Sequence, residues 1–224
     1  MTAARLARRQ DIKAFKRESL LAAARRVFGR AGLDGATIRA IAQEAGMAAG
    51  TVYLHFPDKE SIYAELLAAS LADLHKAMRA AARDMQADPA AALLAGVLAF
   101  YGFYRARPED LDLGLYLAHG FQQTSKRPGG LTPELDRMLN GRLIQCLAPL
   151  GEAIGRLSAA DAHSQAETIR RESVDIAAGI MGTLLLEASG RMKMLGDSGE
   201  AVLRRQVGHV VARLAGAAGL QARR

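Results

Sequence analysis

Thr51, Tyr53 and His55 fall at every second position of GTVYLH. This brings a hydroxyl, a phenol and an imidazole into one short stretch. Such groups hydrogen-bond to phosphate oxygens and to base edges. The residue sets that make and break bonds are missing. No glutamate is followed three residues on by histidine, the pairing a di-iron bundle needs. There is no His-Glu-x-x-His, no Gly-x-Ser-x-Gly and no phosphate loop. Cys146 is the single cysteine and sits in the apolar run LIQCLAPL. It reads as a buried structural thiol, excludes a disulfide framework or thiolate metal cluster, and fits a reducing compartment. The sequence therefore predicts no catalytic residues, no metal site, no cofactor and no enzyme.

Charge is the second chemical feature. The 224 residues carry a formal net charge of +7. Residues 1–30 hold nine Lys or Arg against Asp11 and Glu18, so this segment contains the whole surplus, and the rest of the chain balances to zero. Such asymmetry implies a polyanionic partner, either nucleic acid or an anionic membrane face. Arg5, Arg8, Arg9, Lys13, Lys16 and Arg17 read equally as a solvated tail or as an arm or helix extension on a DNA backbone. A membrane-surface helix is the remote alternative. It is disfavoured because the segment lacks tryptophan and its apolar face is needed for a core. The longest stretch free of charge and histidine, Pro89–Tyr104, is sixteen residues, short of the roughly twenty a membrane span needs. No signal peptide is expected. The prediction is a cytoplasmic protein without membrane association.

The elements that must position these groups are all helical. Alanine, leucine and helix-forming charged residues dominate, and strand-like alternation is nearly absent. Breakers divide the chain into about nine helices. The first is expected over Ile12–Arg30 with Gly32 as its C-terminal cap, the second over Thr37–Ala45 ending at Gly46, and the third near Ala48–His55. A fourth starts after Pro57 with Asp58 as its cap, and a fifth runs from Asp88-Pro89 to before Pro108. A sixth covers Glu109–Gln123, a loop Thr124–Gly130, and a seventh Thr132 to about Gly155. The last two are expected over Ser164–Met194 and Ser198–Ala218.

The first three form a pattern. Ile38, Ile41, Ala42 and Ala45 share one face of the second helix, so that face is buried. Thr37 can accept from the free amides at its helix start, a terminus that can also take a phosphate. Val52 and Phe56 lie four apart and point inward on the third helix. Gly50, Thr51, Tyr53 and His55 are left on its outer side. Two short helices joined by a glycine turn and backed by a third describe a DNA-binding tri-helical unit.

Ser19–Leu67, SLLAAARRVFGRAGLDGATIRAIAQEAGMAAGTVYLHFPDKESIYAELL, resembles the N-terminal domain of the tetracycline-repressor (TetR) family of bacterial transcription regulators. The resemblance rests on Phe28 and Gly32. It continues with Thr37, Ile38, Ile41, Ala42, Ala45 and Gly46, and then with Gly50, Thr51, Val52, Tyr53, His55, Phe56, Lys59 and Glu60. It implies a recognition helix over Ala48–His55. Gly50 would allow close approach to the DNA backbone, Thr51 and Tyr53 would contact bases or phosphates, and His55 and Lys59 would contact phosphates. Thr37 and Arg39 would act from the second helix. Ala48 and Ala49 offer only apolar contact, for instance to a thymine methyl. Ala48 also departs from the family, which commonly has a capping hydroxyl there. Its loss costs about 1 kcal/mol and predicts a frayed helix start. Arg39, Thr51 and Tyr53 are the best candidates for base reading.

The resemblance further implies two domains, a helix-turn-helix domain over 1–57 with its basic arm and a helical ligand-binding and dimerisation domain over 58–224. Six of the eleven Phe and Tyr fall between Phe100 and Phe121. Aromatics with phenol tips suit an apolar pocket with a few polar anchors. Phe100, Phe103, Tyr104, Tyr116 and His119 are the expected lining, for an apolar or aromatic small-molecule effector. Arg105 and Arg107 could take a carboxylate or remain solvated. The last two helices, rich in small and aliphatic residues such as Ile176, Ile180, Leu184, Val207 and Val210, are the implied homodimer interface. The partner would be double-stranded DNA carrying a palindromic operator, and repression the usual outcome. Activation or regulation without an effector is the alternative on the same fold.

Overall fold

Helix after helix in this chain opens on an oxygen-bearing side chain. Thr37 Oγ1 accepts from the Ala40 N–H (3.0 Å) and Asp58 Oδ1 from the Ser61 N–H (2.7 Å). Asp88 Oδ1 accepts from the Ala90 and Ala91 N–H groups (2.9 and 3.1 Å), and Ser198 Oγ from the Ala201 N–H (3.2 Å). Each satisfies amides that the helix itself cannot pair. The computed structural model describes residues 3–83, 85, 87–119, 131–158 and 162–221. Among these residues there are ten helices and no strand: α1 Ala3–Gly35, α2 Ile38–Glu44, α3 Ala49–Tyr53, α4 Lys59–Arg83, α5 Pro89–Arg105, α6 Pro108–His119, α7 Pro133–Leu157, α8 Ala162–Ala188, α9 Arg191–Met194 and α10 Gly199–Gln221. None is long and apolar enough by itself to cross a membrane. The expected Thr124–Gly130 loop lies outside the described residues.

Three boundaries differ from the sequence reading. α1 is helical from Ala3, nine residues before the expected start, and is broken at Gly32 (φ 65°, ψ 179°), where a left-handed backbone stops the helix. α3 keeps only Ala49–Tyr53 of the expected Ala48–His55. The eighth helix ends at Ala188 instead of Met194, because Gly190 takes φ 71° and a separate turn, α9, follows.

The chain divides into two compact units. The first comprises residues 1–70 and 108–140. Its core is built from Leu20, Ala24, Val27 and Phe28 of α1, Ile41 and Ala42 of α2, Val52 of α3, and Ile62, Tyr63 and Leu67 of α4. Phe28 and Tyr63 pack edge to face at 5.8 Å. The Tyr63 hydroxyl donates to the Leu113 carbonyl, and Arg25 pairs with the buried Asp110, so α6 is bonded to α4 and α1 within this unit. The second unit comprises residues 71–107 and 141–224. Here α5, α8 and α10 pack on one another around Leu93, Val97, Ile176, Ile180, Leu203 and Val207. The helices α4 and α7 each contribute to both units.

Cys146 is buried in α7, and burial pushes its thiol up to about 12. The reactive species is the thiolate. Native protein at pH 8 is therefore expected to resist an aromatic disulfide reagent, with one thiol released on unfolding in guanidinium. Rapid labelling of the folded chain would contradict the burial.

Candidate nucleic-acid interface

Helix α3 is five residues long and cannot persist alone. Val52 is fully buried and Phe56 nearly so, and these two inward anchors set the rotation of the helix. Gly50 and Tyr53 are thereby exposed, Tyr53 at 60%, and Thr51 is half-buried beside them. Gly46 (φ 66°) makes the turn between α2 and α3, a conformation that favours glycine. A Cβ placed on Gly50 would meet nothing within 4 Å, so packing does not explain the glycine. Its bare backbone faces open space and permits close approach of a partner.

The other expected contact residues divide into two groups. Thr37 caps α2 and Arg39 is exposed without an ion pair among the described residues. Ala48 holds the N-cap position of α3 with no side-chain bond, Ala49 is half-buried, and His55 follows α3 in the turn. Thr37, Arg39, Ala48, Ala49, Gly50, Thr51, Tyr53 and His55 thus all lie on α2, α3 or their flanks. Lys59 is placed differently. Its ammonium donates to the carbonyls of Leu33 (2.7 Å), Ala36 (3.1 Å) and Asp34 (3.2 Å). All three of its donors are used in tying the start of α4 to the chain that leaves α1. Sequence spacing did not reveal this, since the carbonyls are more than twenty residues away. Leu54, 78% exposed next to Tyr53, was also missed. It holds the C-cap position of α3, and no sequence signal marks it as exposed.

The cations of α1 are of two kinds. Arg26 and Arg30 pair with Glu44, Arg25 with Asp110, and Arg17 with Glu65. The Arg17 guanidinium also stacks 4.5 Å over the Phe56 ring. Arg5, Arg8, Arg9, Lys13 and Lys16 are exposed and make no ion pair among the described residues. His55 is half-buried, and its Nδ1 is buried without a partner. Its imidazole is held below the ordinary histidine range, first by burial and then by Lys13, Arg17 and Lys16. These α1 cations therefore act on the same region as α3.

The expected effector residues are partly visible. Phe100, Phe103 and Tyr104 are buried in the second unit. The Tyr104 ring lies 5.4 Å from Phe100 and 5.3 Å from Phe103. The side chains of Tyr116 and His119 lie outside the described residues. Arg107 stacks 4.2 Å over Phe103, and Arg105 lies 5.7 Å from the ring of Tyr101. Tyr101 in turn donates to Glu187 (2.6 Å). Of the residues of the last two helices expected at a dimer interface, Ile176, Ile180, Leu184, Val207 and Val210 are buried within the unit, where α8 and α10 pack together, whereas Gly182 and Leu186 are exposed. Helical rotation leaves Val174, Ala178, Gly182 and Leu185 as the exposed stripe of α8.

The first unit is similar in sequence to known proteins. Residues 20–66 match the description "Bacterial regulatory proteins, tetR family". The chain is 34% identical over 79 residues to the HTH-type transcriptional repressor AcnR of Corynebacterium diphtheriae, covering 33% of this chain and 42% of that protein. It is 42% identical over 62 residues to the HTH-type transcriptional repressor KstR2 of Rhodococcus jostii, covering 28% and 30%. The matched stretch is thus less than half the length of either relative. In fold, the chain is similar to the transcriptional regulator FadR of Bacillus subtilis, solved in complex with stearoyl-CoA. The TM-score is 0.64 at 18% identity, covering 87% of this chain and 97% of that one.

The lowered His55 value has a consequence for stability. As pH falls through about 6.5, the unfolded chain takes up a proton that the folded chain resists. Stability should therefore decline on acidification until the depressed folded value is reached, and then level off with respect to this group. Denaturant unfolding at pH 7.5 and 5.5 should show His55→Gln losing part of that decline. An unchanged pH dependence would count against the placement of His55.

Proposed function

We propose that this chain, whose N-terminal domain is that of the tetR family of bacterial regulatory proteins, is a homodimeric transcriptional repressor. It holds a palindromic operator and releases it when a small apolar or aromatic molecule binds. The carrying observation is the orientation of α3. Val52 and Phe56 are buried, and Gly50, Thr51 and Tyr53 are presented outward. Thr51, Tyr53 and Arg39 read base edges, Ala48 and Ala49 supply apolar contact, and Thr37 and His55 take phosphates. Lys59 acts by holding the start of α4 rather than by reaching a phosphate. Residues 1–57 form the DNA-binding domain, and residues 58–224 bind the effector and the second subunit. The protein works in the cytoplasm, where its operator is.

A short helix reads only a few base pairs, and a two-fold pair reads two half-sites at a set spacing. The exposed α8 stripe of Val174, Ala178, Gly182 and Leu185 is the surface offered for that pairing. For the effector, Phe100, Phe103 and Tyr104 form an apolar aromatic cluster in the second unit. The stearoyl-CoA of the FadR structure supports a ligand with a large apolar part. Coupling runs through α4. This helix begins at Lys59, directly after the reading unit, and extends unbroken to Arg83, about 37 Å at 1.5 Å per residue. An effector that favours a shifted α4 moves α1 with it, because the Lys59 ammonium bonds and the Phe28–Tyr63 contact join the two helices, and Arg17 over Phe56 carries the shift to the end of α3. The linkage is reciprocal, so operator DNA weakens effector binding by the same factor.

Two substitutions test the reading against a duplex recovered by selection from a random-sequence library. Tyr53→Ala should weaken binding by about 1–3 kcal/mol per protomer while leaving helicity and dimer mass unchanged, as read by circular dichroism and light scattering. Gly50→Ala should raise thermal stability by up to about 1 kcal/mol through helix propensity. In an anisotropy titration it should lower operator affinity roughly tenfold, about 1.4 kcal/mol, by placing a methyl in the approach path. Undiminished affinity in both variants would refute the assignment of α3.

A further inference from the structure

We propose that the first four turns of α1 are a second nucleic-acid contact, a basic rail that grips the phosphate backbone beside the groove entered by α3. The proposal rests on the reading of α3 as the recognition helix and adds an element that reads no sequence.

Its basis is the register of α1. Arg5, Arg9, Lys13 and Lys16 fall at i, i+4, i+8 and i+11 and so share one face of the helix. Continued along the chain, that face becomes Leu20, Ala24 and Val27, all buried in the first unit. The cationic stripe therefore looks to the side on which α1 packs its own domain. Before Leu20 no described side chain of α1 is buried. A helix end that buries nothing has no packing reason to be long, yet α1 starts at Ala3.

The ion pairs sharpen the contrast. From Arg17 onward every arginine of α1 is matched with Glu65, Asp110 or Glu44. Before Arg17, Arg5, Arg8, Arg9, Lys13 and Lys16 have no acidic partner among the described residues, although Asp11 lies on the same stretch. Five unmatched charges over twelve residues span about 16 Å at 1.5 Å of rise per residue. That length faces roughly five phosphates of one strand at 3.4 Å of duplex axis each. Proximity to α3 follows from two contacts at the end of the stripe. Arg17 stacks over Phe56, three residues past the end of α3, and Lys13 and Lys16 disfavour the charged form of His55.

An anionic membrane is the competing occupant. An interfacial helix buries a broad apolar face. Among the described side chains the exposed large apolar ones of α1 are Ile12 (48%) and Phe15 (68%), and cations fill the stripe itself. The arrangement suits phosphates on a duplex better than acyl chains.

The test compares the full chain with its Arg5→Gln/Arg9→Gln/Lys13→Gln/Lys16→Gln variant. Glutamine retains helix propensity, and matching circular dichroism spectra establish that the helix is kept. Both proteins are titrated from 50 to 200 mM NaCl against the library-selected duplex and a scrambled duplex of equal composition. With about 0.9 counterions released per phosphate contact, the variant's plot of log affinity against log salt should be shallower by about 3 to 4 per bound protomer. Affinity should fall together on both duplexes, with their ratio preserved. A slope within about one of the wild type, or a collapse of the ratio at unchanged slope, overturns the rail even while the selected duplex still binds. Should the wild type prefer no selected duplex over its scramble, the reading of α3 fails, and the slope on the scrambled duplex still decides the rail. Vesicles containing phosphatidylserine complete the design. If the wild type binds them more tightly than it binds either duplex at matched salt, and the variant does not, the stripe is a membrane contact and the proposal is overturned.

Discussion

Two buried side chains hold the short helix that faces outward. A five-residue helix has too few internal hydrogen bonds to offset the entropy of forming it, and Ala48 provides no capping oxygen at its start. Val52 and Phe56 substitute for that missing local stability by packing into the core of the first unit. Because residues on a helix rotate by a fixed angle, burying Val52 dictates that Gly50 and Tyr53 are exposed. The whole outward face of α3 depends on this one packing constraint. A change that loosened the Val52 site would move the whole outer surface, whatever its own side chains were.

The cations of the first unit form a graded set. Lys59 uses three donors on backbone carbonyls, and Arg25 compensates a buried carboxylate at Asp110. A buried charge of that kind is costly to leave unpaired, so both side chains are committed to structure. Arg26 and Arg30 share Glu44 at the surface, where pairs contribute little stability. The cations before Arg17 have no acidic partner among the described residues. One positively charged segment therefore performs two jobs in sequence, first presenting free charge and then fastening α1 to α2, α4 and α6 by paired charge.

The second unit relies on a different device. Tyr101 donates to Glu187, whose carboxylate also accepts from the Gly199 N–H at 3.3 Å, joining α5, α8 and the start of α10. A Cβ on Gly199 would lie 2.6 Å from the Tyr101 hydroxyl, so the close approach of these helices requires glycine at that position. Around this junction the aliphatic residues of α8 and α10 satisfy one another. The outer stripe of α8 stays exposed.

What sequence alone determined was local. The all-helical class, the cap at Thr37, the glycine turn at Gly46 and the inward pair Val52 and Phe56 were all legible. Each follows from backbone preference or from a period of 3.6 residues, which neighbours in sequence suffice to express. The order of matches from Phe28 to Glu60 located the same domain that the tetR description covers. Tertiary structure decided the rest. Lys59 was read as a phosphate contact, and its ammonium is bonded to the carbonyls of Leu33, Asp34 and Ala36. Ile176, Ile180 and Val210 were read as an intersubunit surface and are enclosed by their own unit. The basic residues of α1 could not be sorted into paired and unpaired, because Glu44, Glu65 and Asp110 stand 14 to 85 residues away from their partners. Pairing of that kind has no periodic signature. Which long side chain meets which distant acceptor is set only when the helices are packed, and that packing separates charges that hold the fold from charges left free to bind.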